Sequence, residues 1–328
     1  VIGQFCTRLY TVGMMPVAYH RIGFNEKIEA LSGRFPTSVA LADALGVSRM
    51  TLVNWRNNVD SISDSNRDRI DYLYCREILL PTMSAVGQQD YESEDMGAPL
   101  PERFFDEPHI IRKLVERLSF GSLEIETGAR ESDFNRVIRE DAPPSRLQTR
   151  GLLEINNIYH TTARLIQQFQ ANPGGMDSRM IREWHAQLMS GVRDDAGFYS
   201  SKIRVLPDTD LQLTAPEDIP AEVDYWIGRY AQVSGLADIA HAHAHFELIH
   251  PFGDGNGRIG RLIMLWHSMQ VGVSPPLISK QSKALYYATL EHAQTTGQIA
   301  PLQSFLGGQS RAALKLMTGR TIPGLRMR

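Results

Sequence analysis

Cysteine is scarce: Cys6 and Cys75 are the only two in 328 residues, too few for a disulfide framework and in keeping with a reducing compartment. An excess of one charge is also missing. With 34 Lys and Arg against 37 Asp and Glu, the formal net charge is -3, so no global basic field makes nucleic acid or an anionic membrane the default partner. No apolar run is long enough for a bilayer: the stretch 262–273 carries His267 and Gln270, whereas a span needs about 20 apolar residues. The opening VIGQFCTRLYTVGMMPVAY reads poorly as a secretion signal, because Arg8 interrupts it and no charged segment precedes it. The expectation is a cytoplasmic protein with no membrane partner. What is present is a globular composition, 42% apolar, 22% charged and 8% aromatic, at a length that suits two domains.

Along the chain, residues 1–80 read as an N-terminal unit containing a helix-turn-helix, 81–109 as an acidic linker rich in Pro and Gly, and 110–328 as a long helical domain. Helical periodicity runs over 151–171, 178–191, 221–233, 237–249, 258–272, 283–296 and 301–317. The exception is FYSSKIRVLPDTDLQLTAP, 198–216, whose alternation around Asp208 and Asp210 predicts a small β-hairpin in a mostly α fold.

In TSVALADALGVSRMTLVNWRN, 37–57, Leu41, Ala42 and Leu45 have helical spacing, Gly46 permits a left-handed helix end, and Ser48 caps a second helix with Leu52 and Trp55 on one face. The segment resembles bacterial helix-turn-helix domains. On that reading DNA is a partner, met by Arg49, Thr51, Asn54 and Arg56 in the major groove. Contact with protein alone stays open, because Asp43, Asp60, Asp64, Asp68 and Asp71 offset the sparse bases.

Chemistry concentrates in HPFGDGNGRIGR, 250–261. Pro251 ends the preceding helix at His250 and so fixes an imidazole at a helix-to-loop junction, where it can act as a base. Gly253, Gly255 and Gly257 let backbone N–H groups converge on an anion, and the helix that follows directs its positive end at the same point. Asp254 is an oxygen ligand of the kind Mg²⁺ takes between phosphates. Arg258 and Arg261 sit on neighbouring positions of the first turns and supply two cations for a polyphosphate.

This segment resembles, at every defined position, the signature of the Fic (filamentation induced by cAMP) family, HPF-x-[DE]-GN-[GK]-R-x-x-R. The resemblance implies a Fic-fold helical domain over about 110–328 that transfers AMP from Mg-ATP to a Ser, Thr or Tyr hydroxyl of a target protein or of itself. Gly257 stands where the related Doc-type kinases carry Lys. The resemblance implies that His250 is the base and that Asp254 holds Mg²⁺. By the same likeness the backbone of Gly255, Asn256 and Gly257 stabilises the anion, and Arg258 and Arg261 hold the β- and γ-phosphates.

The likeness extends to its surroundings. The segment 198–216, with Lys202, Ile203, Arg204 and Val205, resembles the flap on which a target strand pairs; Tyr199 stands where many relatives have Arg. Tyr287 and Gln294 match the helix that walls the adenine pocket, and His243 and Glu247 match positions that orient the catalytic loop. SLEIETG, 122–128, resembles the family's inhibitory helix, near 119–128, through Ser122 and Glu126, with Thr127 as a mismatch. Its implied role is a Glu126–Arg261 pair that keeps the γ-phosphate from its productive place. The same Glu126 positioning water to remove AMP, and a DNA-binding regulator with a nucleotide-sensing domain, are the alternatives; homodimer formation is left open. His241, His243 and His245 are not expected to bind a metal, since they do not converge on one helix face.

Overall fold

The computed structural model describes residues 19–85, 97–140, 147–206, 209 and 211–319. Fourteen α-helices occur among them: α1 Phe24–Arg34, α2 Ser38–Ala44, α3 Arg49–Asn57, α4 Asp64–Tyr74, α5 Leu80–Ala85, α6 Pro108–Thr127, α7 Glu131–Arg139, α8 Thr149–Ala171, α9 Ser178–Leu188, α10 Ile219–Tyr230, α11 Leu236–Ile249, α12 Asn256–Gln270, α13 Lys283–Thr296 and α14 Ala300–Thr318. Local chemistry sets many of their starts. Thr37 accepts from the N–H of Ala40, Ser48 from that of Thr51, Ser63 from that of Asn66 and Asp177 from that of Met180, each satisfying one of the first-turn donors that a helix leaves free. A π-helical turn at Cys75–Leu79 joins α4 to α5.

Two buried clusters organise the packing. One gathers Phe169, Trp184, Trp226, Phe246, Ile259 and Trp266 from α8 to α12. The other joins Leu31, Leu52, Trp55, Ile70 and Tyr74 of the N-terminal helices to Leu285, Tyr286, Leu290 and Phe305 of α13 and α14. The N-terminal unit is therefore built onto the helical domain by shared apolar burial, a much tighter arrangement than an acidic linker suggests. Part of that linker is itself packed: 86–96 lie outside the described residues, but Ala98 and Phe104 are fully buried, and Pro99 bridges to Val273. The apolar residues between the acids override the linker composition.

The expected hairpin differs too. Among the described residues of 198–216 there is no strand, and 207, 208 and 210 lie outside them. Two extended arms are pinned to the end of α11 instead, Ser200 N–H to Pro251 O at 2.8 Å and Thr214 N–H to Leu248 O at 3.4 Å. The Arg204 guanidinium bridges the arms by donating to Thr214 O and Ile249 O. Ile203 and Val205 remain 83% and 80% exposed, so no apolar face is buried that would reward a lone two-stranded ladder.

Candidate active site

His250 follows the last turn of α11 with φ of 50°, the one non-glycine residue with positive φ among those described. A left-handed conformation at such a residue costs about 1–3 kcal/mol and needs support from its surroundings. That support is on both sides. The His250 N–H donates to Phe246 O at 2.9 Å. The Asn256 side chain then clamps the loop, accepting from Phe252 N–H and donating to Phe252 O, both at 2.8 Å. Below the loop, the ring of His185 stacks on Phe252, bonds Asp254 O at 3.0 Å through Nε2 and accepts from Gly197 N–H at 2.8 Å through Nδ1. With Nδ1 an acceptor, Nε2 carries the proton, the neutral tautomer that burial also favours by lowering the His185 pKa to about 4.

The His250 Nδ1 lies 3.3 Å from Glu247 O. A proton on Nδ1 satisfies that carbonyl and leaves the Nε2 lone pair free. Burial lowers the His250 pKa to about 4 against the pull of that carbonyl, and Arg204 lowers it further, so the ring is neutral at ordinary pH. Behind it stands Glu247, whose Oε2 is 3.9 Å from the same Nδ1. Burial raises the Glu247 carboxyl to about 8 although Arg261 pulls it down, which makes it a neutral acid near pH 7. His243, one turn earlier, bonds Tyr286 Oη at 2.6 Å and is pushed down to about 3 by burial first and Arg261 second.

Asp254 faces two guanidinium groups, Arg258 Nη2 at 3.2 Å and Arg150 Nη2 at 3.5 Å. Its Oδ1 also accepts from Gly255 N–H at 2.6 Å, so that one amide of the expected anion nest is held by the carboxylate. Arg258 is only 2% exposed, and Glu154 lies 3.8 Å from its Nη1. Arg258 Nε and Nη1 and Arg261 Nη1 are buried donors without a hydrogen-bond partner among the described residues. Buried guanidinium donors of this kind call for an anionic acceptor such as phosphate.

Arg261 is gripped from α6. Its Nε donates to Ser122 Oγ at 2.9 Å, and its Nη2 donates to Ser122 O at 3.1 Å and Glu126 Oε1 at 2.7 Å. Close packing brings α6 this near: a Cβ at Gly121 would collide with Ile278 O, and one at Gly257 would come within 2.5 Å of Glu126 Oε1 and 3.0 Å of Arg261 Nη1. Glu124 turns elsewhere and accepts from Lys280 N–H at 3.1 Å, while Thr127 bonds Leu123 O within its own helix. Burial is the largest influence on Glu126 and pushes its carboxyl up, yet the Arg261 charge and hydrogen bond, with Arg258 behind them, hold it below the ordinary value.

His250, Glu126, Gly257 and Arg261 line one end of a cavity of about 800 Å³ whose walls include Tyr287, Leu290 and Gln294 of α13 and Leu206, Thr209 and Leu211 of the extended arms. Tyr287, expected in an adenine pocket, lines this cavity. Gln294 is there as well, but its amide nitrogen donates to Ala244 O at 3.1 Å, which leaves its oxygen for a ligand. Lys202, Ile203, Arg204 and Val205 immediately precede Leu206 and do not line the cavity, and Arg204 is committed to the backbone bonds above.

The residues expected to meet DNA stand apart from this site, on α3. Arg49, Asn54 and Arg56 are exposed and Thr51 is half-buried, but Arg56 is held on Ser32 Oγ at 2.5 Å, and Met50 and Val53 are exposed beside them. His241 and His245 do not converge with His243, and among the described residues no group of three or more His, Cys, Asp or Glu is placed to hold a metal. No helix there is long and apolar enough to cross a membrane. Sequence reasoning did not find His185, Arg150 and Glu154, which come from α8 and α9 and have no motif; a buried histidine at the end of an amphipathic helix was the one signal for His185.

Residues 175–268 match the family model described as Fic/DOC family. The protein adenylyltransferase fic-1 of Caenorhabditis elegans is 35% identical over 78 residues, 24% of this chain and 15% of that protein. The protein adenylyltransferase Fic of Drosophila persimilis is 42% identical over 77 residues, 23% and 15% of the two; the chain thus spans a small part of the curated relatives it matches. A Fic domain containing signaling protein from Bacteroides thetaiotaomicron superposes with a TM-score of 0.58 at 20% identity, covering 72% of this chain and 98% of that one. Fic-1 from C. elegans gives 0.56 at 17% identity, covering 90% and 81%.

Proposed function

We propose that this chain, a Fic family protein, is a protein adenylyltransferase that moves AMP from Mg-ATP onto a Ser, Thr or Tyr hydroxyl of a target protein, and that Glu126 restrains it in cis. The observation that carries the reading is that a neutral His250 shares one cavity with Arg261, whose buried Nη1 has no hydrogen-bond partner among the described residues. In the reaction the target hydroxyl oxygen attacks the α-phosphorus and the bond to the bridging oxygen of pyrophosphate breaks. The hydroxyl proton passes to His250 Nε2, leaving an imidazolium whose Nδ1–H still donates to Glu247 O. Arg258 and Arg261 neutralise the departing pyrophosphate, so catalysis is positioning and electrostatics.

The donor set at Asp254 fits Mg²⁺: this cation uses one or two carboxylates and takes its other ligands from phosphate and water, and Asp254 offers one half-exposed carboxylate beside the phosphate-binding arginines. When bound, Mg²⁺ neutralises phosphate charge and favours departure of pyrophosphate. Gly257 favours adenylylation over the Doc-type kinase chemistry, since it leaves no lysine at the phosphates. The pair between Glu126 and Arg261 occupies a guanidinium that the phosphates need, which is the proposed restraint.

Product analysis tests this reading. With Mg-ATP and a lysate containing target, the Glu126→Gly variant should release pyrophosphate faster than the parent, and His250→Ala should release none. Production of ADP with phosphorylated protein would overturn it.

A further inference from the structure

The wall of the cavity is not confined to the helical domain, because residues of the N-terminal unit contribute to it. Leu45 and Gly46 from the turn after α2, Arg69 and Tyr72 from α4, and Arg76 from the π-helical turn all line it. The join is firm, because Ile70, Leu73 and Tyr74 share one buried cluster with Leu285, Tyr286 and Leu290 of α13. At the rim the Tyr72 hydroxyl donates to Glu291 Oε2, and Thr209 of the extended arms donates to Glu291 Oε1 at 3.3 Å. Glu291 stands one helical turn after Tyr287 and almost one before Gln294, so these three share a face of α13. Both oxygens of one carboxylate are thus occupied by separate parts of the chain, and the wall that faces the base end of a nucleotide is fixed from two sides. Arg69 is exposed toward the same space, and a Cβ at Gly46 would come within 3.0 Å of its Nη1; the turn glycine leaves that guanidinium its place.

The geometry points to the N-terminal unit as a working wall of the nucleotide site: Tyr72, acting through Glu291, positions the base end of bound ATP, and Arg69 adds a cation at the rim. This rests on the reading of the cavity as the ATP site. The helix-turn-helix then serves the enzyme from within, with its turn against the cavity and α3 turned away from it. Tyr72 is a positioning residue, since its hydroxyl meets Glu291.

Calorimetric titration with Mg-ATP tests this on the 328-residue chain carrying Glu126→Gly, which releases Arg261. Tyr72→Phe keeps the ring and removes only the hydroxyl, and it should weaken Kd about tenfold. KM for ATP should rise with it while kcat holds. Added to Glu291→Ala, which removes the acceptor, Tyr72→Phe should have little further effect, because the two act through one bond. Arg69→Ala, at an exposed position that leaves the core intact, should weaken Kd about threefold. If Tyr72→Phe and Arg69→Ala bind Mg-ATP like the parent while Arg261→Ala does not bind, the N-terminal wall is wrong and the nucleotide reading stands. If the parent itself fails to bind Mg-ATP, both are wrong.

Discussion

Replacing Glu126 by Gln keeps the shape of the side chain and removes the charge opposite Arg261. Breaking a buried ion pair by removing one partner costs about 3–5 kcal/mol. Here Glu126 is 27% exposed, and Arg261 keeps both Ser122 bonds, so solvent screening and the remaining partners bring the expected loss to about 1–2 kcal/mol. At about 2–4 °C per kcal/mol for a chain of this size, the melting temperature should fall by about 2–8 °C. Mg-ATP should then raise it more in the variant than in the parent, because the freed guanidinium is available to phosphate. The pH dependence has a definite sign. The Glu126 carboxyl lies below its ordinary value of 4.5 in the folded protein, so its stabilisation is complete above 4.5 and is lost as pH falls through the folded value. The gap between parent and variant should be constant near neutrality and close in acid. Thermal unfolding across pH, with and without Mg-ATP, measures all three quantities. Equal melting temperatures and equal nucleotide shifts in the two proteins would refute the pairing as the source of restraint.

Three further outcomes follow from the same geometry. With His250 lowered to about 4, the acid limb of kcat/KM in the Glu126→Gly protein should fall near pH 4, and a limb near the free imidazole value of 6.5 would contradict the buried neutral base. In Gly260→Ala the new Cβ meets the Glu247 carboxyl and the His243 ring. This overpacking should cost about 1–3 kcal/mol and lower activity, which thermal unfolding and initial rates report; an active, equally stable variant would contradict the packing described. His185→Ala removes two anchors of the catalytic loop and a ring stack, and kcat should fall more than ATP affinity, as paired kinetics and titration would measure.

The sequence was most legible where chemistry is contiguous. HPFGDGNGRIGR places base, carboxylate, glycines and arginines within twelve residues, and α8 to α14 follow the apolar periodicity to within a few residues. Pairings between distant elements were harder. Ser122 and Glu126 were readable only through likeness to a family motif, and nothing in the sequence tells that Gly257 and Gly121 provide the room for them. The segment 198–216 alternates like a hairpin, yet Arg204 takes the place of ladder hydrogen bonds by binding backbone carbonyls on both sides. The acidic composition of 81–109 hid Phe104, which is buried in one cluster with Leu114 and Val115 of α6. The contacts of His185 with Asp254 and of Tyr72 with Glu291 span 69 and 219 residues and have no signature in the sequence.

Adenylylation leaves the α-phosphate of ATP on protein, whereas a kinase leaves the γ-phosphate. Parallel incubations of the Glu126→Gly protein and lysate with Mg-ATP labelled at one position or the other decide between the two most directly. Protein label is expected from the α-position alone, stronger than with the parent and lost with His250→Ala; label from the γ-position alone would rule out adenylylation.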